Sequence, residues 1–103
     1  MKIAVTVDIG SDLICASFEE CRHFKVYDTE NDRVICSEIV GTMNGSVQDK
    51  VDMLGLLDAD TVICGRIGAE TDELLSEDGI ICCSGIYGDP DDAVNGILTG
   101  QLI

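Results

Sequence analysis

The stretch DTVICG, residues 60–65, decides the fold because it is a short apolar run between two segments with helical spacing. A run of this length, bounded by a polar residue and a glycine, is typical of a strand that is buried on both faces of a sheet. A strand that is reached and left through helices lies parallel to its neighbours. The stretch therefore predicts an α/β domain.

The chain after this strand continues the same alternation. Residues 70–78 predict a helix that ends at Gly79, and residues 80–84 (IICCS) predict another buried strand. Asp89 and Pro90 occupy typical N-cap and N1 positions of a last helix. One side of that helix carries Val94, Ile97, Leu98 and Gln101. We expect right-handed crossovers between the parallel strands of this half.

The segment before residues 60–65 also has helical spacing. After a glycine-bounded loop at residues 41–45 (GTMNG), Ser46 and Asp49 resemble a capping box. The apolar stripe that follows consists of Val47, Val51, Leu54 and Leu57. A stripe with this spacing predicts a helix that leads directly into the buried strand.

The amino-terminal part of the chain alternates with the period of a strand. Residues 2–7, 23–28 and 33–40 predict strands, with a hairpin turn in the polar cluster at residues 28–32 and a loop at residues 8–21. The resulting order is β-β-β-α-β-α-β-α, with an antiparallel meander followed by two parallel strands. This order predicts a mixed five-stranded sheet covered by helices, as one domain over the whole chain, 1–103.

The charge balance restricts the classes of partner. Twenty acidic residues and six basic ones give a net charge of −14, which repels polyanions, so we expect no binding to nucleic acid. No apolar run approaches the ~20 residues that cross a bilayer, so we expect no membrane association. The first apolar stretch ends at Asp8 without a small-residue cleavage site, which favours a cytoplasmic protein.

The six cysteines indicate reduced thiols and no disulfide scaffold. They lie at positions 15, 21, 36, 64, 82 and 83, and no two of them form a C-x-x-C motif. Small disulfide-rich domains usually lack the periodic, core-forming segments that this chain contains. A strongly reducing or anaerobic host suits such a protein.

The motifs, taken in order, resemble a known family. They are MKIAV at residues 1–5, a strand ending in Asp28, the loop and helix from Gly41, VICGRIG at residues 62–68, and the Gly-Ile step after the second helix. Together they resemble the dinitrogenase iron–molybdenum cofactor biosynthesis family, which includes NifX-like carriers and the C-terminal domain of NifB-like proteins. The resemblance implies a ribonuclease-H-like three-layer fold.

The resemblance also implies a function. The better-known members bind or carry iron–sulfur and iron–molybdenum cofactor precursors, and many others are small stand-alone proteins of unknown role. The resemblance therefore implies a non-enzymatic carrier with a cluster donor or acceptor protein as partner. The ligand loop of the family often reads His-Phe-Gly-Arg, where this chain has Ser17, Phe18, Glu19 and Glu20. Only Phe18 is shared, and a serine and a glutamate replace the imidazole and the guanidinium.

The expected site lies at the carboxyl ends of the parallel strands, where ligands of open α/β sheets bind. Three loops should meet there, at residues 8–21, 64–68 and 85–88. Thiolates are suitable ligands for iron–sulfur material, and the proposed metal ligands are Cys15, Cys21 and Cys64. The other candidate cofactor-binding residues are Ser17, Phe18, Gly65, Arg66 and Gly68, with Arg66 as the lone cation and the glycines exposing backbone amides.

Each candidate thiol also has a purely structural interpretation. The pattern favours Cys64 as a core residue, and Cys15 and Cys21 as incidental loop thiols, because free cysteine packs as a small hydrophobe. Cys82 and Cys83 point to opposite faces of a strand and are expected in the core. Cys36, on a hairpin strand, is interpreted in the same way. The lone His23 starts a strand, where an exposed or hydrogen-bonded side chain is expected and a ligand is not.

Two other functions remain open from the sequence. The chain could be a divergent family member without a cofactor, acting as a protein-interaction or regulatory module through its acidic surface. The third function is a metal-dependent hydrolase that uses Asp8, Asp28 and Asp60. It ranks last, because these carboxylates are predicted at different edges of the sheet.

Overall fold

The structure is a computed structural model that describes residues 1–42 and 45–100. Two residues of the predicted glycine-bounded loop, Met43 and Asn44, lie outside the described residues, as does Gln101 of the predicted last stripe. The elements are, in chain order, β1 (Lys2–Asp8), β2 (Leu13–Ile14), β3 (His23–Glu30), β4 (Arg33–Gly41), α1 (Val47–Leu56), β5 (Thr61–Ile63), α2 (Ala69–Glu77), β6 (Ile81–Cys83) and α3 (Pro90–Leu98).

The sheet is mixed, as the sequence predicts. Its strands lie in the order β4-β3-β1-β5-β6, and the pairs β4/β3 and β3/β1 are antiparallel whereas β1/β5 and β5/β6 are parallel. The antiparallel half is the expected meander. The parallel half places the carboxyl ends of β1, β5 and β6 at one edge of the sheet, where ligand sites of α/β proteins form.

The strand β2 is absent from the sequence prediction, which treats residues 8–21 as a loop. It pairs antiparallel with the end of β1, through Val7 with Ile14 and Asp8 with Leu13. Asp12 makes the turn between them with a φ of 60°, a conformation that aspartate tolerates better than most residues. A two-residue strand carries no periodic signal, so the sheet has six strands where five were predicted.

Helices cover both faces of the sheet. On one face α1 and α2 pack through Val51, Leu54 and Leu75 against alternate sheet residues such as Ala4 and Phe24. On the opposite face α3 packs through Ala93 and Val94 against Ile3, Val5 and Tyr27. The alternation along β1 thus supplies two separate cores, which gives a three-layer α/β arrangement.

The predicted helix boundaries have the expected local chemistry. The Ser46 side chain accepts a hydrogen bond from the Asp49 N–H, and the Asp49 carboxylate accepts one from the Ser46 N–H, which completes the capping box. Asp89 accepts hydrogen bonds from Asp91 and Asp92, with Pro90 at N1 of α3. Among residues 1–42 and 45–100, no helix is long and apolar enough to cross a membrane.

One prediction about core cysteines holds in part and another is wrong. Residues 80–84 were expected to form a buried strand, but β6 is an edge strand with Ile81 65% exposed. Cys82 and Cys83 are partly buried and pack against the cores on opposite faces of the sheet, as expected. Cys36 was also expected in the core, yet it is exposed on β4 at the opposite edge. Edge strands have a neighbour on one side only, and the sequence does not reveal which strands occupy the edges.

Candidate functional site

The three loops predicted to form the site do meet. Ser17 and Arg66 form an isolated parallel bridge, with Phe18 N–H donating to the Arg66 carbonyl at 2.9 Å and Arg66 N–H donating to the Ala16 carbonyl at 2.7 Å. The third loop joins through Ile14 N–H, which donates to the Gly88 carbonyl at 2.8 Å. These backbone bonds hold the three loops, residues 8–21, 64–68 and 85–88, together at the carboxyl ends of β1 and β5. We call this edge of the sheet the rim.

Gly65 makes this close approach sterically feasible. A Cβ atom at residue 65 would lie 2.6 Å from the Ala16 carbonyl oxygen and 2.7 Å from Tyr87 Cε1. The role expected for Gly65 was to let a ligand approach the backbone. In the structure the residue instead lets another segment of the chain approach.

A cleft opens at the carboxyl end of β1, with a volume of about 260 Å³. Its lining residues are Val7, Asp8, Ile9, Cys15, Glu20, Arg22 and His23, and we call it the Cys15 cleft. His23 begins a strand, as expected, and it also lines this cleft together with Cys15. A cysteine, a histidine, an arginine and two acidic residues are therefore among the residues that border a single surface cavity.

The three predicted metal ligands do not share this cavity. Cys15 is partly buried and lines the cleft, whereas Cys21 is 1% exposed and Cys64 is 0% exposed. Burial raises the pKa of the Cys21 thiol to about 12, so this thiol is neutral at physiological pH. Within the described part of the chain, no group of three or more His, Cys, Asp or Glu side chains is arranged to hold a metal ion.

Cys64 lies beside a different thiol, that of Cys82, with their sulfur atoms 3.9 Å apart. The hydrogen bond between the two thiols, in which either sulfur can donate, raises the pKa of Cys64, and burial raises it further. The same hydrogen bond lowers the pKa of Cys82. The structure thus pairs Cys64 across β5 and β6 and not with the loop thiols Cys15 and Cys21.

Phe18 is a core residue. It is 0% exposed, and its ring lies 5.8 Å from the ring of Phe24, measured between centroids. Beside it, the ammonium group of Lys50 donates to the backbone carbonyls of Phe18 and Glu19. Lys50 is only 4% exposed, so this loop is held from below by a buried cation that the sequence analysis did not identify.

The side chain of Glu19, a residue of the loop before β3, places its carboxylate at the amino terminus of α2. Its carboxylate accepts a hydrogen bond from the Gly68 N–H at 2.8 Å, and the Ser17 hydroxyl lies 3.4 Å from its other oxygen. Gly68 is the N-cap residue and has no side chain to cap the helix itself. The backbone amide expected to meet an anionic ligand is therefore bound by a carboxylate of this chain.

We expect Glu19→Gln to lower the stability of the protein by about 0.3–1 kcal/mol at pH 7. Burial raises the pKa of Glu19, but hydrogen bonds led by that from Gly68 outweigh it, so the pKa lies below its ordinary value of 4.5. A lowered carboxyl pKa gives stability that is present above the unfolded pKa and lost as pH falls through the folded pKa. The difference between wild type and variant should therefore shrink on acidification below about pH 4.5, in urea titrations at several pH values. Parallel stability curves for the two proteins would contradict this, and Glu20→Gln is the charge-matched control.

The rim has more than the one cation that was expected. Arg66 is exposed, but Arg22 also lines the Cys15 cleft. The prediction of Arg66 as the lone cation is therefore wrong. The reason is that the end of the loop folds back beside β1, which brings Arg22 and His23 to the position where the first strand ends.

Four residues important to this region were not among the predicted site residues: Glu19, Arg22, His23 and Lys50. The signal for His23 and Arg22 was their position next to a predicted strand end. Nothing in the sequence distinguishes Lys50 from an exposed helical lysine. The Glu19 contact joins residues far apart in the chain, so no spacing rule could have found it.

Comparison with known proteins gives a family and a fold. The family model described as dinitrogenase iron–molybdenum cofactor matches residues 1–100, and no curated protein matches the chain. The protein PH0822, known from a crystal structure, superposes with a TM-score of 0.91 at 22% identity, over 98% of this chain and 91% of that chain.

Two further solved structures have the same fold. The apo form of the orange protein from Desulfovibrio gigas gives a TM-score of 0.83 at 24% identity, over 97% of this chain and 88% of that one. A candidate NifB protein from Thermotoga gives 0.73 at 20% identity, over 97% and 89%. At these identities the structures establish a shared fold alone. The family match extends over nearly the whole sequence, and the chain therefore belongs to the dinitrogenase iron–molybdenum cofactor family.

Proposed function

We propose that this protein is a small non-enzymatic carrier of an iron–sulfur or iron–molybdenum-type cluster, or of its precursor, which it takes up as cargo in the Cys15 cleft. The observation that carries the proposal is the convergence of Cys15, His23 and Arg22 on one cavity at the carboxyl end of β1. Membership of the dinitrogenase iron–molybdenum cofactor family supports the proposal, because that family takes its name from a metal–sulfur cofactor.

The donor set suits a soft, anionic cargo. A Cys15 thiolate is a ligand for iron or molybdenum sulfides, and the His23 imidazole is a second ligand of the kind that iron accepts. The Arg22 guanidinium balances negative charge on the cargo, while Asp8 and Glu20 oppose it. Cargo bound by one or two protein ligands is held weakly enough to be passed on, which a carrier requires.

The remaining residues of the predicted site have supporting roles in this proposal. Phe18, Ser17 and Gly65 hold the loop that carries Cys15 against the rim, and Gly68 and Glu19 anchor it to α2. Arg66 contributes positive charge at the exposed rim. Cys21 and Cys64 are too deeply buried to reach cargo in this conformation, so Cys15 is the primary ligand.

The partner in this proposal is another protein of cofactor assembly, which supplies the cargo or receives it, and the iron–molybdenum cofactor family of the chain supports such a partner. We also keep the ribonuclease-H-like name for the fold as part of this proposal, because the three-layer arrangement agrees with it.

The direct test is anaerobic reconstitution with iron and sulfide, with and without a thiomolybdate, followed by desalting. We expect the wild-type protein to retain charge-transfer absorbance in the visible range, with metal in a fixed ratio to protein. Cys15→Ala should lose most of that absorbance, and His23→Ala should reduce it. The matched control is Cys36→Ala, which removes an exposed thiol on β4 far along the chain from the cleft.

A colourless, metal-free wild-type protein after desalting would overturn the carrier function. Equal absorbance in wild type and Cys15→Ala would overturn the location of the cargo. A second function, a protein-interaction module without cargo, is favoured by the Glu19 carboxylate at the amino terminus of α2. It predicts a metal-free protein that binds a basic partner with salt-sensitive affinity.

A further inference from the structure

Cys64 and Cys82 are a pair of thiols within hydrogen-bonding distance, and neither lines the Cys15 cleft. Cys82 pairs in register with Val62 on β5, and Cys64 follows two positions later. Because strand side chains alternate, Val62, Cys64 and Cys82 all point to the same face of the sheet. The two sulfur atoms lie 3.9 Å apart on that face.

A disulfide between these two cysteines requires movement, because Cys64 lies diagonal to Cys82 in the sheet and not directly opposite it. The S–S bond measures about 2.05 Å, so the sulfur atoms must approach by roughly 2 Å. Rotation of the side chains and a small shift of β6 can supply this movement, because β6 is a three-residue edge strand with a neighbour on one side only. Cys83 cannot substitute for Cys82, because it points to the opposite face.

The two thiols differ in access to solvent. Cys64 is 0% exposed, whereas Cys82 is only partly buried. An oxidant from solvent therefore meets Cys82 first and cannot reach Cys64 directly. The net charge of −14 repels anionic disulfides such as oxidised glutathione, whereas a neutral peroxide is not repelled.

We propose that Cys64 and Cys82 form a reversible disulfide when the protein meets a peroxide, with Cys82 reacting first and Cys64 resolving the product. The Cys82 sulfur attacks the O–O bond of the peroxide, gains a hydroxyl group to become a sulfenic acid, and releases the other oxygen as water or an alcohol. The Cys64 sulfur then attacks the Cys82 sulfur, and the S–O bond breaks. The hydroxyl leaves as water with the Cys64 proton, so two thiols are oxidised while one peroxide is reduced. A dithiol reductant restores both thiols.

The proposal makes β5 and β6 a redox-sensitive site in a protein whose expected environment is reducing. It is independent of the proposed cargo, because neither sulfur belongs to the Cys15 cleft. A failed reconstitution with metal would leave it untouched. In the same way, a failed oxidation would leave the carrier function untouched.

The test treats the reduced, metal-free protein with one equivalent of hydrogen peroxide, followed by alkylation of free thiols and mass spectrometry. Cleavage after glutamate leaves Cys64 as the single cysteine of fragment 39–70, and Cys82 and Cys83 together in fragment 78–103. We expect most of the protein to lose two hydrogens and to yield these fragments linked, with the link reversed by dithiothreitol.

Two serine variants locate the bond. Cys82→Ser should abolish the linked fragments, whereas Cys83→Ser should retain them at the wild-type level. The proposal is overturned if Cys64 stays alkylatable while other thiols oxidise, or if Cys64 links to Cys21. It is also overturned if the link persists in Cys82→Ser. Tandem mass spectrometry of the wild-type fragments distinguishes Cys82 from Cys83 without relying on either variant.

Discussion

Phe18→Ala is expected to lower the free energy of unfolding by about 3–5 kcal/mol. The side chain is 0% exposed, and it packs with Phe24, Leu54 and Leu75 in the core between the sheet and the helices α1 and α2. Its removal leaves a cavity beneath the loop that carries Cys15. The backbone bond from Phe18 to Arg66 and the contacts of Lys50 limit how far that loop can collapse into the cavity.

Urea denaturation followed by circular dichroism measures this loss. The control is Leu56→Ala, which also removes a large apolar side chain, but one that is 86% exposed. We expect the control to stay within about 0.5 kcal/mol of wild type. Similar losses in both variants would show that Phe18 is not the core residue that its burial indicates.

The Phe18 result also distinguishes two possible roles of this residue, contact with a cofactor and structural support of the loop. Phe18 is the only residue shared with the family's ligand loop, which suggested contact with a cofactor. Its burial indicates that it holds the loop in place, and in the proposed carrier function it is the cleft residues Cys15, Arg22 and His23 that meet the cargo. We expect Phe18→Ala to weaken cargo binding only to the extent that it unfolds the loop.

The sequence predicted most of the fold because its local signals agree with the tertiary structure. The capping box at Ser46 and the proline of the last helix mark helix starts by backbone chemistry that needs no distant partner. Alternation and apolar runs located the five longer strands in the same way. Gly79 ends α2 with a φ of 74°, which glycine adopts readily. The failures were β2, which is too short for a pattern, and the edge positions of β4 and β6.

The sequence predicted the location of the site better than its contents. Chain topology alone brings the three loops together, so their meeting could be inferred from the order of the elements. Whether Cys21 and Cys64 face the rim or the core depends on side-chain direction within irregular loops. No periodicity governs that direction, and the two thiols proved to be buried. The burial of Lys50 was equally hard to foresee, because a charged helical residue is normally expected at the surface.

The few basic residues of this acidic chain are placed where they serve the loop and the cleft. A chain with 20 acidic and six basic residues has few cations to place. It buries one of them, Lys50, under the loop carbonyls, and it places Arg22 in the Cys15 cleft. The carboxylate of Glu19 takes the amide at the start of α2. In the proposed carrier function, the positive charge that meets an anionic cargo is that of Arg22 and Arg66.

Gly65→Ala is expected to lower the free energy of unfolding by about 1–3 kcal/mol or more, although it adds a single methyl group. The added Cβ would lie 2.6 Å from a backbone oxygen, that of Ala16, which cannot rotate away as a side chain can. Either β5 or the Cys15 loop must shift, and the hydrogen bonds between Ala16, Arg66 and Phe18 would lengthen. Hydrogen exchange at the Phe18 and Arg66 amides should accelerate far more than exchange in α1.

Gly55→Ala provides a control of opposite sign for the same substitution. Gly55 lies inside α1, and an added Cβ there would meet nothing within 4 Å. Alanine in a helix interior is favoured over glycine by about 0.5–1 kcal/mol, so this variant should be more stable than wild type. Both substitutions reduce the conformational entropy of the unfolded chain by the same amount. The difference between their stabilities therefore reports the steric clash at residue 65. If Gly65→Ala were as stable as Gly55→Ala, the loop and β5 would not be in the contact that fixes the rim, and the Cys15 cleft would lose its structural basis.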